Sequence, residues 1–140
     1  NKDNFNAGNY SIACCLDYLG KTSEAEEIFS NLYNDDDLEV DSLHNMASLA
    51  FKKNDLDRAE ELYTQVIDTD EFHIESYISL IKIKLIQNKN EEANELLVKL
   101  SKIDPDNKEL SYLEFEIAKS KGDKKLASDM YASMLYSFGN

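Results

Sequence analysis

Apolar residues recur along the chain with the spacing of an amphipathic α-helix. In one segment they fall at i, i+3, i+4 and i+7, as Ala25, Ile28, Phe29 and Leu32 do, which places them on one helix face. Eight such helices are predicted, over about residues 6–19, 23–33, 39–53, 56–68, 73–87, 90–102, 107–121 and 124–137. Their predicted N-terminal caps are Thr22 or Ser23, Asp55, Asn90 and Asp106. The pattern therefore predicts an all-α fold.

The helical pattern repeats every 34 residues without an insertion. Each repeat has an alanine, a large residue four positions later, and another apolar residue three beyond that. These columns are Ala25, Ala59, Ala93 and Ala127; Phe29, Tyr63, Leu97 and Tyr131; and Leu32, Val66, Leu100 and Met134. Five positions before each alanine stand Gly20, Asn54, Asn88 and Gly122. Because glycine and asparagine tolerate left-handed backbone, these four positions are predicted to form tight turns between helices.

The repeat resembles the tetratricopeptide repeat in its length, its small residue in the second helix, the large residue four positions later and the closing proline. In the third repeat these residues are Ala93, Leu97 and Pro105. The resemblance implies a right-handed superhelical solenoid of four helix hairpins, in which each hairpin buries its apolar stripe against its neighbours. We expect a single domain over residues 1–140, with repeats over about 6–39, 40–73, 74–107 and 108–140.

Composition agrees with a folded helical protein and narrows its partners. Hydrophobic residues make up 42% of the chain and charged residues 31%, and there are four glycines and one proline. The net charge of −13 repels phosphate backbones and anionic headgroups, so nucleic acid is not an expected partner. The chain has no initiating Met, and we expect it to be a fragment or a processed form.

The sequence offers no convergent set of side chains for catalysis. His44 and His73 have no ligands at metal spacing and are interpreted as isolated surface imidazoles. The acidic run at residues 35–37 lacks the pattern of a calcium loop and is predicted to be a solvated loop. Cys14 and Cys15 diverge around their helix and are interpreted as small buried residues. We therefore expect no enzyme activity, no cofactor and no metal site.

Binding is the expected function, and the resemblance implies where. In such repeats the first helix of each hairpin lines the concave face. The predicted groove residues are Tyr10, Cys14, Tyr18, His44, Phe51, Ile78, Lys82, Ile86 and Tyr112. A basic groove for acidic chaperone tails is absent, and the aromatic and aliphatic rows favour an amphipathic or apolar peptide. The same residues could instead pack between neighbouring hairpins, and both interpretations stay open here.

The last helix is expected to need a cover, because a solenoid requires polar faces at its ends. Its tip instead carries an apolar set, namely Met130, Met134, Leu135, Tyr136 and Phe138. A further helix or another chain is expected to lie there.

The C-terminal third carries a narrower resemblance. Residues 114–118, followed by Gly122-Asp123, Ala127, Tyr131, Leu135 and Phe138, are similar to the close of the type IV pilus biogenesis and stability lipoproteins, the PilF/PilW pilotin family. The sequence departs from that family after Phe138, where Gly139 and Asn140 follow.

That resemblance implies an assembly factor for the outer-membrane secretin, at the periplasmic face of the outer membrane. Its lipid anchor would lie outside this sequence. The alternative is a cytoplasmic tetratricopeptide adaptor or regulator that binds a peptide segment of a partner protein. The residues leave both functions open.

Overall fold

The computed structural model describes residues 2–33, 35 and 37–138 of the chain. Over these residues it contains eight α-helices and no strand, so the predicted all-α class is confirmed. The helices are α1 (Lys2–Tyr18), α2 (Thr22–Leu32), α3 (Glu39–Lys52), α4 (Leu56–Thr69), α5 (Ile74–Ile86), α6 (Asn90–Ile103), α7 (Leu110–Lys121) and α8 (Lys124–Phe138). None of these helices is both long enough and apolar enough to cross a membrane.

Tight turns join the two helices of each hairpin, at the four positions where they were predicted. Gly20, Asn54, Asn88 and Gly122 have φ angles of 79°, 62°, 59° and 74°. In each turn the next residue donates its backbone N–H to a carbonyl five residues earlier, as Asp55 does to Ala50 at 2.9 Å. This closure satisfies carbonyls that the end of a helix would otherwise leave without a partner.

Most of the predicted helix caps are wrong. Asp55 is confirmed, since its side chain accepts from the backbone N–H of Arg58. The residues before α2 and α6 are lysines without a capping side chain, because the tight turn itself leads into the helix. The prediction missed His73, which caps α5, and Asp123, whose carboxylate accepts from the N–H of Leu126 in α8.

Two predicted helix starts also differ from the structure. α1 begins at Lys2 rather than near residue 6, since the intervening residues include no proline or glycine to stop it. α7 begins at Leu110 rather than near residue 107. There Asn107 donates to the Asp104 carboxylate and its own side-chain oxygen accepts from the N–H of Glu109, which holds the segment in a turn. Asp106 therefore caps no helix.

The chain divides into two compact units, Asn1–Glu71 and Phe72–Asn140. In the first unit α2 packs against both α1 and α3, and α3 also packs against α4. In the second unit α6 packs against both α5 and α7, and α7 also packs against α8. The fully buried residues of the first unit include Ala25, Phe29, Leu49, Ala59 and Val66, and those of the second include Ile81, Ile83, Ala93, Leu100 and Leu113. A single domain over residues 1–140 stays a prediction.

In the second helix of each hairpin, the alanine column is buried in every repeat but the last. Ala25, Ala59 and Ala93 are fully buried, whereas Ala127 is half-buried. Ala25 and Ala93 lie in α2 and α6, which each pack extensively against two other helices, whereas the extensive contacts of α8 are with α7.

The prediction that both cysteines are buried is wrong. Cys14 is half-buried, Cys15 is exposed, and both thiols are free. Cys15 holds the position that Leu49 and Ile83 hold in later repeats, where both are fully buried. In α1 the corresponding face has no preceding hairpin among the described residues to cover it.

Candidate functional site

The first helices of the two hairpins in the first unit are joined by polar side chains into one wall. Asn45 of α3 donates from Nδ2 to the Tyr10 hydroxyl of α1 at 2.8 Å. Two helical turns further along, Lys52 Nζ of α3 lies 3.1 Å from Asp17 Oδ1 of α1. Both contacts join residues 35 apart, one more than the repeat length. The repeat therefore sets the register in which α1 and α3 face each other.

Tyr10 takes part in packing as well as in this wall. Its ring meets the buried Phe29 ring edge-on, with 5.7 Å between the ring centroids. Burial, together with the neighbouring Cys14, raises the pKa of the Tyr10 phenol above its ordinary value. The phenol is thus neutral at physiological pH, so its oxygen accepts from Asn45 while its own O–H can still donate.

The interpretation of both histidines as isolated surface imidazoles is wrong. His44 is half-buried, and its ring lies 5.8 Å from that of Tyr63 within the second hairpin. His73 is also half-buried, and its Nδ1 accepts from the backbone N–H of Ser76 at the start of α5. Each histidine thus supports the packing or capping of its own unit.

The second unit contains an open cavity along α5 and α7, which are the first helices of its two hairpins. The cavity has a volume of about 340 Å³ and is lined by Leu85, Ile86, Glu116, Lys119 and Ser120. Its apolar part comes from the end of α5. Its charged part comes from Glu116 and Lys119 of α7, whose ionic atoms are 3.9 Å apart. A cavity lined by both apolar and oppositely charged side chains suits an amphipathic ligand rather than a purely ionic one.

The predicted groove residues fall into two classes of exposure. Tyr18, Lys82, Ile86 and Tyr112 are exposed, whereas Tyr10, Cys14, His44, Phe51 and Ile78 are half-buried. Of the exposed residues, Ile86 lines the cavity of the second unit. Among the half-buried ones, Tyr10 and His44 pack against aromatic rings of their own unit. Partner binding by these nine residues stays a prediction.

Sequence reasoning missed two residues of the first helices, Asn45 of α3 and Ser120 of α7. The repeat contained the signal for Ser120, since it occupies the column of Tyr18, Lys52 and Ile86 at intervals of 34 residues. Its hydroxyl donates to the side chain of Asn90 at 2.7 Å, which ties α7 to α6. Asn45 stands beside a predicted column and had no comparable signal.

The acidic segment after α2 holds the first hairpin together. Asp35 accepts from Asn6 Nδ2 of α1, and it also accepts from the backbone N–H of Asp37. Asp35 is half-buried and Asp37 is exposed, whereas Asp36 lies outside the described residues. One carboxylate of the predicted solvated loop therefore has a structural role.

Comparison with known proteins places the chain among helical repeats. Residues 40–73 match the model for the tetratricopeptide repeat, over the bounds predicted for the second repeat. No curated protein matches the sequence.

Three solved structures illustrate the likeness in fold. A tetratricopeptide repeat protein from Parabacteroides merdae superposes with a TM-score of 0.89 at 13% identity, over 96% of this chain and 53% of that one. PilW, a type IV pilus biogenesis factor, has a TM-score of 0.83 at 16% identity, over 94% of this chain and 61% of that one. The first tetratricopeptide-repeat domain of Spaghetti, bound to the HSP90 peptide SRMEEVD, has a TM-score of 0.74 at 17% identity. The match covers 84% of this chain and 93% of that one. This chain spans about half the length of the Parabacteroides protein.

Proposed function

The chain has the tetratricopeptide-repeat fold, and from this premise we propose that it is a non-catalytic scaffold that binds a segment of a partner protein along the first helices of its hairpins. The observation that carries the proposal is the cavity of the second unit. Ile86 lines this cavity and is 56% exposed, and Tyr112, one helical turn before the lining residue Glu116 in α7, is 49% exposed. Exposed apolar side chains beside a concave surface are typical of protein-binding sites.

The charges on the first helices of the hairpins favour one class of segment. The Spaghetti domain binds a peptide with three acidic residues, SRMEEVD. Here Lys52 is paired with Asp17 in the first unit, and Lys119 is paired with Glu116 in the second. With a net charge of −13, the chain would repel an acidic tail. The expected ligand is an amphipathic segment with apolar anchors and basic rather than acidic flanks.

The finer proposal is a pilotin-like assembly factor for the outer-membrane secretin. It is supported by the resemblance in residues 114–138 and accords with the likeness in fold to PilW. On this proposal the chain acts at the periplasmic face of the outer membrane, held by a lipid anchor outside residues 1–140. The second candidate is a cytoplasmic adaptor, which the likeness to a peptide-binding domain supports at the level of fold.

A capture experiment with matched variants tests both levels. The chain serves as bait for detergent-solubilised envelope and, separately, for cytosol of its source cells, with mass spectrometry of the bound proteins. The groove variant carries Ile86→Ser and Tyr112→Ser. The control carries Val98→Ser, which removes a similarly exposed apolar side chain from α6.

We expect at least about tenfold less partner on the groove variant and unchanged capture by the control, because anchor residues carry most of the binding free energy. A secretin captured from the envelope would support the pilotin-like role. Partners from cytosol alone, lost with the groove variant, would support the adaptor. Partners retained equally by both variants would show that the binding surface lies elsewhere.

A further inference from the structure

The first unit contains a groove of its own, to which three helices contribute. α2 and α4 both pack on α3, and a groove of about 200 Å³ lies among them. Its lining includes Tyr33 at the end of α2, Leu43 and Met46 of α3, and Arg58, Glu61 and Leu62 of α4. This groove shares no lining residue with the cavity of the second unit.

The size of the groove indicates a single side chain as its occupant. Cavities that hold whole small-molecule ligands have volumes of roughly 300–1,000 Å³, and this groove is smaller. Three of its lining residues are apolar and almost buried, with Leu43 at 4%, Met46 at 7% and Leu62 at 6% exposure. The groove therefore suits one long side chain with an apolar stem.

The apolar lining is not a general consequence of the repeat. The positions at twice the 34-residue interval from Leu43 and Met46 are Ser111 and Glu114 of α7. A hydroxyl and a carboxylate offer no comparable surface to an apolar stem, because each would lose its contact with water. The second unit therefore lacks this apolar surface at the equivalent positions.

The two charged side chains that line the groove differ in their partners. Arg58 is paired, since its Nη2 atom lies 3.2 Å from Glu26 Oε1. A hydrogen bond from Lys53, together with the charges of Lys53 and Arg58, holds the pKa of Glu26 below its ordinary value, so that carboxylate is ionised at neutral pH. Glu61 is exposed and forms no hydrogen bond or ion pair with any described residue. The lining charge that can still accept a partner is therefore negative.

The charge of the whole unit also favours a cation. Residues 1–71 include 17 acidic and five basic side chains, whereas residues 72–140 include 11 acidic and ten basic ones. Almost all of the excess negative charge of the chain thus belongs to the first unit. Such a field raises the local concentration of a cationic segment and lowers that of an anionic one.

From these observations we propose that the groove binds an arginine side chain from a segment of a partner protein, a step that rests on the proposed role of the chain as a scaffold. The arginine stem packs on Leu43 and Met46, and its guanidinium pairs with Glu61. Tyr33, which is 44% exposed, supplies an aromatic ring for the same cation. Arginine fits better than lysine, because a planar guanidinium can both bond a carboxylate through two N–H groups and stack on a ring.

The three methionines of the chain allow this groove to be observed directly. Met46 lines it, whereas Met130 and Met134 lie in α8 of the second unit. The whole chain, labelled with ¹³C at its methionine methyl groups, is titrated with a peptide to about 10 mM and followed by NMR, which covers weak binding. The peptide has the sequence Gly-Ser-Arg-Ser-Gly and is blocked at both ends. The same peptide with citrulline, a neutral analogue of arginine, is the ligand control.

Two variants with the same change of charge complete the design. Glu61→Gln removes the carboxylate that lines the groove. Glu27→Gln removes another exposed carboxylate of the first unit, on α2, which does not line it. Both positions are on the surface, and circular dichroism checks that each variant folds.

We expect the arginine peptide to shift the Met46 signal saturably, with a dissociation constant in about the millimolar range, since one exposed ion pair and one cation–π contact each contribute little. Citrulline and Glu61→Gln should each weaken binding at least about threefold, whereas Glu27→Gln should change it little.

An unshifted Met46 signal, or equal binding of the citrulline peptide, overturns the proposal. Equal losses with the two glutamine variants also overturn it, as do shifts of Met46 and Met130 of the same size, because attraction to the acidic surface in general would then explain the binding. Each of these results leaves capture through the cavity of the second unit possible, since the two sites share no residue.

Discussion

At the scale of single residues, two asparagines hold a conformation that most side chains avoid. Asn54 and Asn88 have left-handed φ angles, where the first and last repeats use Gly20 and Gly122. A Cβ atom in this region approaches the following carbonyl oxygen, and asparagine offsets part of that cost through local hydrogen bonding. The column thus records a backbone requirement that either residue type meets.

Replacing Asn54 by alanine should therefore lower the free energy of unfolding by about 1 kcal/mol, since alanine has no means to offset the left-handed conformation. Asn54→Gly should leave that free energy within about 0.5 kcal/mol of the original, because the glycine is free of strain but also gains freedom when unfolded. Urea denaturation of the three proteins measures both changes. Equal stability of the alanine and glycine variants would refute this account of the turn.

At the scale of helices, the same alanine column lies in two different environments. Ala59 of α4 is fully buried, whereas Ala127 of α8 is half-buried. A close approach between helices requires the small residue only where the face is enclosed. The periodicity alone treats the two positions as equivalent.

The substitution of leucine for each alanine separates these environments. Ala59→Leu should lower the free energy of unfolding by about 1 to 3 kcal/mol, because the added carbons have no space. Ala127→Leu should change it by less than about 0.5 kcal/mol. Thermal or urea denaturation gives both values. A large loss with Ala127→Leu would mean that the α8 face is enclosed.

Helices and turns were predictable here because each rests on a local signal repeated through the chain. The column of Gly20 and Asn54 predicted the turns, and the apolar stripes predicted all eight helices. Caps were less predictable. Asn90 has a side chain suited to capping, yet α6 begins without a side-chain cap, because the Asn90 side-chain oxygen accepts from the Ser120 hydroxyl instead. Such choices depend on tertiary contacts that no local pattern encodes.

The groove could be predicted only as a set of positions. Tyr10 and Ile86 occupy comparable first-helix faces, yet one packs against Phe29 and the other lines a cavity. The difference depends on which side chains the neighbouring helices supply, and the repeat does not fix those. A partner adds a further surface, whose chemistry this sequence limits but does not specify.

At the scale of the whole molecule, net charge and apolar anchors both act on the proposed ligand. The chain carries a net charge of −13, so it attracts a segment with basic flanks at low ionic strength. The side chains proposed to contact the apolar part of the segment, Ile86 and Tyr112, carry no charge. Salt screens the attraction over about 10 Å at 0.1 M but leaves apolar burial intact.

Raising sodium chloride from about 0.02 to 0.5 M should therefore weaken capture of the partner several-fold, measured as the amount of protein bound in the capture experiment. The reason is the sign of the long-range force, which is attractive between the acidic chain and a basic segment. The variant with Ile86→Ser and Tyr112→Ser has the same net charge, so its remaining capture should fall by a similar factor. If salt instead left capture unchanged or strengthened it, basic flanks would not be part of the ligand.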